Sequence, residues 1–241
     1  MSGIENVLPN IVGFSDWTFH LVFYRIPKNA STSIFNHLGD FNLIKKHEQV
    51  FRNNCDPKLY KNLFDPTHAK PDEVYSIFRH EIANYKSFCV VRNPWDRAVS
   101  MFKFCEKEDL MSKVYGIEGE ITFKRFCHIL KKEEANKYFL ATNKQVEWTK
   151  GFYPPNKILR FENLSKDFSK MLEELNVSHV SSDLPHINAT DHTHYSNYYD
   201  SETKKIVSEV FEEDIDKFKY TFNCVSEDSP KPKVSQSSLR I

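Results

Sequence analysis

Arg25-Ile26-Pro27-Lys28-Asn29-Ala30-Ser31-Thr32-Ser33-Ile34 is the stretch whose reading decides the fold. Ahead of it, His20-Leu21-Val22-Phe23-Tyr24 continues into Arg25 and Ile26 as a short, apolar, aromatic run, the pattern of a buried strand. Behind it, Ser31 to Leu38 reads as the start of a helix. A strand therefore ends, a tight loop turns, and a helix opens on small hydroxyl residues. Amides at such a helix start have no intrahelical partner and attract an anion. Ser31, Thr32 and Ser33 add hydroxyl donors, and Lys28 adds a point charge on a flexible stem. Asn29 and Ala30 complete the candidate anion cradle. The loop is not a Walker A motif, because no glycine lies between Gly13 and Gly39. Taken alone, it reads equally well as a helix N-cap cluster.

A second loop has the same build. Ser87-Phe88-Cys89-Val90-Val91 reads as a central strand, and Arg92-Asn93-Pro94-Trp95-Asp96-Arg97-Ala98-Val99-Ser100 follows it. Pro94 suits a first helical turn, so a helix is expected to about Lys107. Arg92 stands at the mouth of that helix and can fork onto a phosphate, with Ser100 two turns on to reinforce it. Any single arginine here also reads as a surface ion pair.

The remaining chain supplies more strand and helix patterns. A strand is expected at Phe41–Lys46 and a helix at Pro71–Ala83, with Asp72 and Glu73 in its first turn. Residues 121–150 read as mainly helical and Lys157–Phe161 as a short strand. Leu164, Phe168, Met171, Leu172 and Leu175 fall on one face of a helix. Residues 176–200 read as a polar loop region rich in His and Tyr, and Ser201–Phe218 as helical. Alternating strands and helices imply an α/β fold with a mostly parallel sheet covered on both faces. Ligands in such folds sit at the carboxyl ends of the strands, where both loops lie.

Length and composition bound the rest. The 241 residues suit one domain. Residues 1–17 read as a lead-in and 18–223 as the domain. Residues 224–241, rich in Ser, Pro and Lys, read as a disordered tail. Formal net charge is zero, which gives no push toward nucleic acid or an anionic membrane as partner. No run of about 18 apolar residues suggests a membrane span, and Met1 to Asn10 lacks signal-peptide character. The five cysteines (Cys55, Cys89, Cys105, Cys127 and Cys224) are scattered. That argues against a zinc site or disulfide framework and for a reducing cytoplasm. A chain trimmed of a Golgi anchor would look the same.

Pro-Lys-x-x-x-Thr-Ser after a first strand, then Val-Arg-Asn-Pro-x-Asp-Arg-x-x-Ser after a later one, resembles the PAPS-dependent sulfotransferases. Lys157-Ile158-Leu159-Arg160-Phe161-Glu162-Asn163-Leu164 is similar to that family's late strand-and-helix segment. Pro185-His186-Ile187-Asn188-Ala189-Thr190 and Tyr198-Tyr199-Asp200 resemble its C-terminal pattern. The spelling is closest to the carbohydrate branch, the heparan sulfate 2-O-sulfotransferase-like enzymes and their bacterial relatives. The resemblance spans roughly residues 20–222. The family's first loop often carries Gly or Cys where this chain has Asn29-Ala30-Ser31.

The resemblance implies a P-loop-NTPase-like three-layer fold and sulfuryl transfer from PAPS to a hydroxyl, by the branch a carbohydrate hydroxyl, with release of PAP. It implies that the first loop (Lys28, Asn29, Ala30, Ser31, Thr32 and Ser33) holds the 5′-phosphosulfate, and that Arg92 and Ser100 hold the 3′-phosphate. Lys28 would steady the leaving oxygen and His68, in the interval where the branch carries its base, would deprotonate the acceptor. No metal is expected. His47 and Glu48 are rival bases. Gln145-x-x-Trp148 resembles an acceptor-site element, although Trp148 reads equally as core. His186, His192 and His194 match no common zinc spacing. Two other readings stand beside this one: a P-loop-like kinase, which lacks its glycines and magnesium-holding acid, and a non-catalytic PAP-binding module.

Overall fold

A computed structural model describes residues 11–13, 20–38, 68–78, 86–113, 116–132, 142–174 and 193–223. In chain order these form β1 (Ile11–Gly13), β2 (His20–Tyr24), α1 (Ser31–Leu38), α2 (Pro71–Phe78), β3 (Lys86–Val91) and α3 (Pro94–Glu108). There follow α4 (Leu110–Lys113), α5 (Phe123–Lys132), β4 (Lys157–Arg160), α6 (Leu164–Glu174), α7 (Ser201–Val210) and α8 (Glu212–Phe218). Short 3-10 turns occupy Gln145–Thr149, Phe161–Asn163 and Tyr195–Tyr198.

The sheet order is β1-β2-β3-β4. β2, β3 and β4 run parallel, with Tyr24 level with Cys89 and Val91 level with Arg160. Their carboxyl ends therefore share one edge, which is where the loops after β2 and β3 emerge. β1 lies inside the expected lead-in and pairs antiparallel on β2. Three residues without an apolar run gave no strand signal there.

The period-2 alternation of strands sorts the core into two layers. Phe23, Phe88, Val90 and Leu159 point to one face, where Ile34 of α1 and Phe168, Met171 and Leu172 of α6 cover them. Phe23 and Phe88 are level in the register and stack with centroids 4.5 Å apart. Val22, Tyr24, Cys89 and Val91 point to the other face, under residues of α2, α3, α5, α7 and α8. Helices on both faces of a mostly parallel sheet make this the α/β architecture that the strand–helix alternation predicts.

Several boundaries differ from expectation. β2 stops at Tyr24 because the chain turns at once, with Asn29 N–H donating to Ile26 O. The helix expected over Ser201–Phe218 breaks at Phe211, which is buried in the core and has φ −111° and ψ 26°. Among the described residues, the 121–150 region is α-helical over Phe123–Lys132 and 3-10 over Gln145–Thr149, and 133–141 lie outside them. His68 has 3-10 form just ahead of α2. The strand at 41–46, residues 79–83, Leu175 and the tail 224–241 lie outside the described residues, as do His47 and Glu48. Among the described residues, no helix is long and apolar enough to cross a membrane.

Phe168 is fully buried at the centre of the smaller layer. Phe168→Ala should cost about 3–5 kcal/mol in urea unfolding. A loss below about 1 kcal/mol would mean that α6 does not close this face.

Candidate functional site

The loop after β2 has an unusual backbone. Lys28 and Ala30 take positive φ, 68° and 57°, with Asn29 between them. For residues with a Cβ this left-handed region costs on the order of 1–2 kcal/mol each. Alternation of this kind turns successive N–H groups into a concavity that suits an anion. The loop's carbonyls are taken up elsewhere. Pro27 O accepts from Arg97 Nε at 3.1 Å and Lys28 O from Arg92 Nη1 at 3.0 Å. Ile34 N–H bonds Ala30 O at 3.1 Å, which starts α1. Of the hydroxyl residues, Thr32 is exposed while Ser31 and Ser33 are buried.

Asn29 plays a different part from its neighbours. Its side chain is buried, and Nδ2 donates to Val90 O at 2.7 Å and to Gln145 Oε1 at 2.6 Å. It ties the first loop to the end of β3, and its own N–H is engaged with Ile26 O at 3.4 Å, so its part in the loop is structural. Gln145, fully buried, completes the tie. Its Oε1 also accepts from Arg92 N–H at 2.9 Å, and its Nε2 donates to Arg92 O at 2.8 Å. Asp214 holds Gln145 in turn, accepting from the Gln145 and Val146 amides at 2.9 Å each. Burial raises the Asp214 pKa, against the pull of Arg97 and of those amides. The break at Phe211 lets α8 bring Asp214 there.

The second loop is built around the start of α3. Asn93 caps the helix by accepting from Trp95 N–H at 3.0 Å, and Pro94 fills the first turn. Glu162 accepts from Asn93 N–H and from the Tyr220 hydroxyl, and burial raises its pKa. Arg92 is nearly buried. Its Nε donates to Asp96 Oδ2 at 2.7 Å, and its guanidinium lies 4.0 Å from the centre of the Phe161 ring. Among the described residues Nη2 makes no hydrogen bond, so donors of Arg92 remain for an anion. Ser100 is buried two turns into α3. Arg97 is buried too, with Nη1 on Asn143 O at 2.9 Å; burial lowers its pKa to about 10, opposed by Asp214. It is a brace of the first loop.

Lys28 carries its ammonium 4.0 Å from the centre of the Phe104 ring. Burial, and then the nearby Arg92 charge, lower its pKa to about 8. His68 reaches the same segment: Nδ1 lies 2.6 Å from Arg25 O. A carbonyl only accepts, so Nδ1 carries the proton and the neutral ring has its lone pair on Nε2. Trp148, buried, donates its indole N–H to His68 O at 3.0 Å and so fixes the backbone there. Gln145 and Trp148 are thus interior braces.

Trp95 is buried beneath α7, with its indole edge on Phe222. His194 is exposed and caps the turn at Tyr195; His186 and His192 lie outside the described residues. Among the described residues no group of three or more His, Cys, Asp or Glu could hold a metal ion. Sequence reasoning missed Asn29's inward turn, the reach of Arg97 to Pro27 O, and the parts played by Phe104, Phe161 and Asp214. Asp214 sits in the acidic run Glu212-Glu213-Asp214, inside the helix expected over Ser201–Phe218, where acids are ordinarily solvated.

Two loops that each follow a strand of the parallel sheet thus meet at one sheet edge, tied by Arg92 and Asn29, with Lys28 and an oriented His68 on the first of them. A family model described as the sulfotransferase family matches residues 14–221, and the chain belongs to that family, whose chemistry is sulfuryl transfer. Neither the curated proteins nor the solved structures contain a significant match.

Gln145→Ala strips partners from two buried donors and a buried carbonyl. It should lower stability by about 1–3 kcal/mol in urea unfolding and weaken PAP binding in calorimetry on protein that is still folded. Unchanged stability and affinity would show that the two loops do not depend on this amide.

Proposed function

We propose that this chain transfers the sulfuryl group of PAPS to a carbohydrate hydroxyl and releases PAP. The observation that carries the reading is the hydrogen bond from Arg92 to the Lys28 carbonyl, which makes the two anion-ready loops one site. ATP has phosphates at one end only. Two separated anion sites on one rigid edge favour a nucleotide phosphorylated at both its 3′ and 5′ positions.

When bound, PAPS supplies the sulfuryl group and a phosphate leaving group. The loop amides, with Ser31, Thr32 and Ser33, would hold the 5′ end, and Arg92 and Ser100 the 3′-phosphate. Lys28 places a positive charge where the sulfur–oxygen bond to the nucleotide breaks and negative charge develops. His68 Nε2 takes the acceptor proton as the new sulfur–oxygen bond forms, leaving a sulfate ester, PAP and a protonated imidazole. Lys28, Arg92 and the loop amides neutralise the donor without a metal. Both His68 and Lys28 hang from residues 25–28, so base and electrophilic stabiliser are set by one short segment. Carbohydrate as acceptor class rests on the branch resemblance. A reducing cytoplasm is supported by the unpaired, buried thiols of Cys89, Cys105 and Cys127. A non-catalytic PAP-binding module would share the two loops, but it has no use for an imidazole whose tautomer is fixed beside them.

The test is a transfer assay with radiolabelled PAPS and a panel of carbohydrate acceptors, run beside PAP calorimetry. Lys28→Ala should abolish transfer, Arg92→Ala should weaken PAP binding at least about tenfold, and His68→Ala should cut turnover about 100-fold or more with PAP affinity retained. Near-normal transfer by Lys28→Ala, or PAP affinity untouched in Arg92→Ala, would overturn the reading. PAP binding without turnover on any acceptor would favour the binding module.

A further inference from the structure

Phe104 is exposed to 37% on the outer part of α3. Single exposed aromatics are ordinary on protein surfaces. What sets this one apart is its neighbour: the Lys28 ammonium lies over its ring face, 4.0 Å from the centroid. Among the described residues the ammonium makes no hydrogen bond and no ion pair. Glu108 is the carboxylate whose charge acts on it, and it does so without an ion pair. Phe104 lies one turn beyond Ser100, and Arg97 lies about one turn before it, so all three share one stripe of the helix. Arg97 grips the loop carbonyl just before Lys28. The stripe therefore braces the loop at one end and meets the lysine tip at the other.

A ring and a carboxylate hold a lysine in different ways. A carboxylate would occupy the N–H donors and neutralise the charge, and an anionic donor would have to displace it. A ring face attracts the ammonium through its quadrupole while leaving the N–H donors unspent. We propose that Phe104 is a positioning residue: its ring seats the Lys28 ammonium in the donor-free enzyme with its hydrogen-bond donors available for the incoming nucleotide. The proposal rests on the assignment of Lys28 to the donor.

The test is PAP affinity by calorimetry from about pH 6 to about pH 10. The groups whose charges act on Lys28 are Arg92 from the β3 loop and Cys105, Lys107 and Glu108 from α3. The charged lysine is the binding form, so wild-type affinity should fall as pH rises through about 8. Phe104→Leu keeps most of the apolar bulk and removes the ring. It should weaken PAP about threefold at neutral pH and move the alkaline fall about half a unit lower, because the ring favours the charged form. Phe104→Tyr should restore both. In Lys28→Ala the alkaline fall should be absent, and adding Phe104→Leu should change nothing further. An alkaline fall unmoved in Phe104→Leu, or the same threefold loss in the Lys28→Ala background, overturns the proposal alone. Wild-type affinity and pH dependence in Lys28→Ala would overturn the donor assignment and this proposal with it.

Discussion

The grip of two guanidiniums on two consecutive carbonyls shapes this site. Arg97 holds Pro27 O and Arg92 holds Lys28 O. Neither φ of 68° at Lys28 nor φ of 57° at Ala30 suits an L-residue without outside help. The charge-assisted bonds, each stronger than a neutral one, supply that help. The arginines are in turn held by the interior. Arg97 is buried near Asp214, and Arg92 is flanked by Asp96, the Phe161 ring and the Gln145 amide. A loop without glycine can thereby take the place of one that has it.

The arrangement also joins the chemistry to the fold. The parallel register of β2 and β3 puts Arg25 and Arg92 at one edge. His68 bonds the Arg25 carbonyl, Arg92 bonds the Lys28 carbonyl, and Asn29 bonds Val90 O. Residues 25–29 thus receive a contact from each neighbouring segment. A shift of this stretch would misplace the proposed base, the lysine and both proposed anion sites together. Its bracing by buried Gln145, Trp148 and Asp214 follows from that shared dependence.

The sequence made the layers and the two loops legible for a physical reason. Phe23, Phe88, Val90 and Leu159 against Val22, Tyr24, Cys89 and Val91 is an alternation that only a sheet buried on both faces uses. Pro94 behind Asn93 marks the start of α3 by itself. The braces were not legible, because each depends on a partner far along the chain. Asn29 looks like a cradle residue until Val90 and Gln145 are beside it. Asp214 looks like a solvated acid until α8 delivers it to the Gln145 amide. Arg97, four residues before Met101 and three before Ser100, gives no sign that it reaches back to Pro27 O. Phe104 gives no sign of Lys28 above it.

The central claim is that the two loops form one site for a nucleotide charged at both ends. Calorimetric titration with PAP, AMP and adenosine 3′-phosphate tests it most directly. The account predicts that both monophosphates bind at least about tenfold more weakly than PAP. PAP binding no tighter than AMP would mean that the Arg92–Ser100 loop holds no phosphate, and would contradict it.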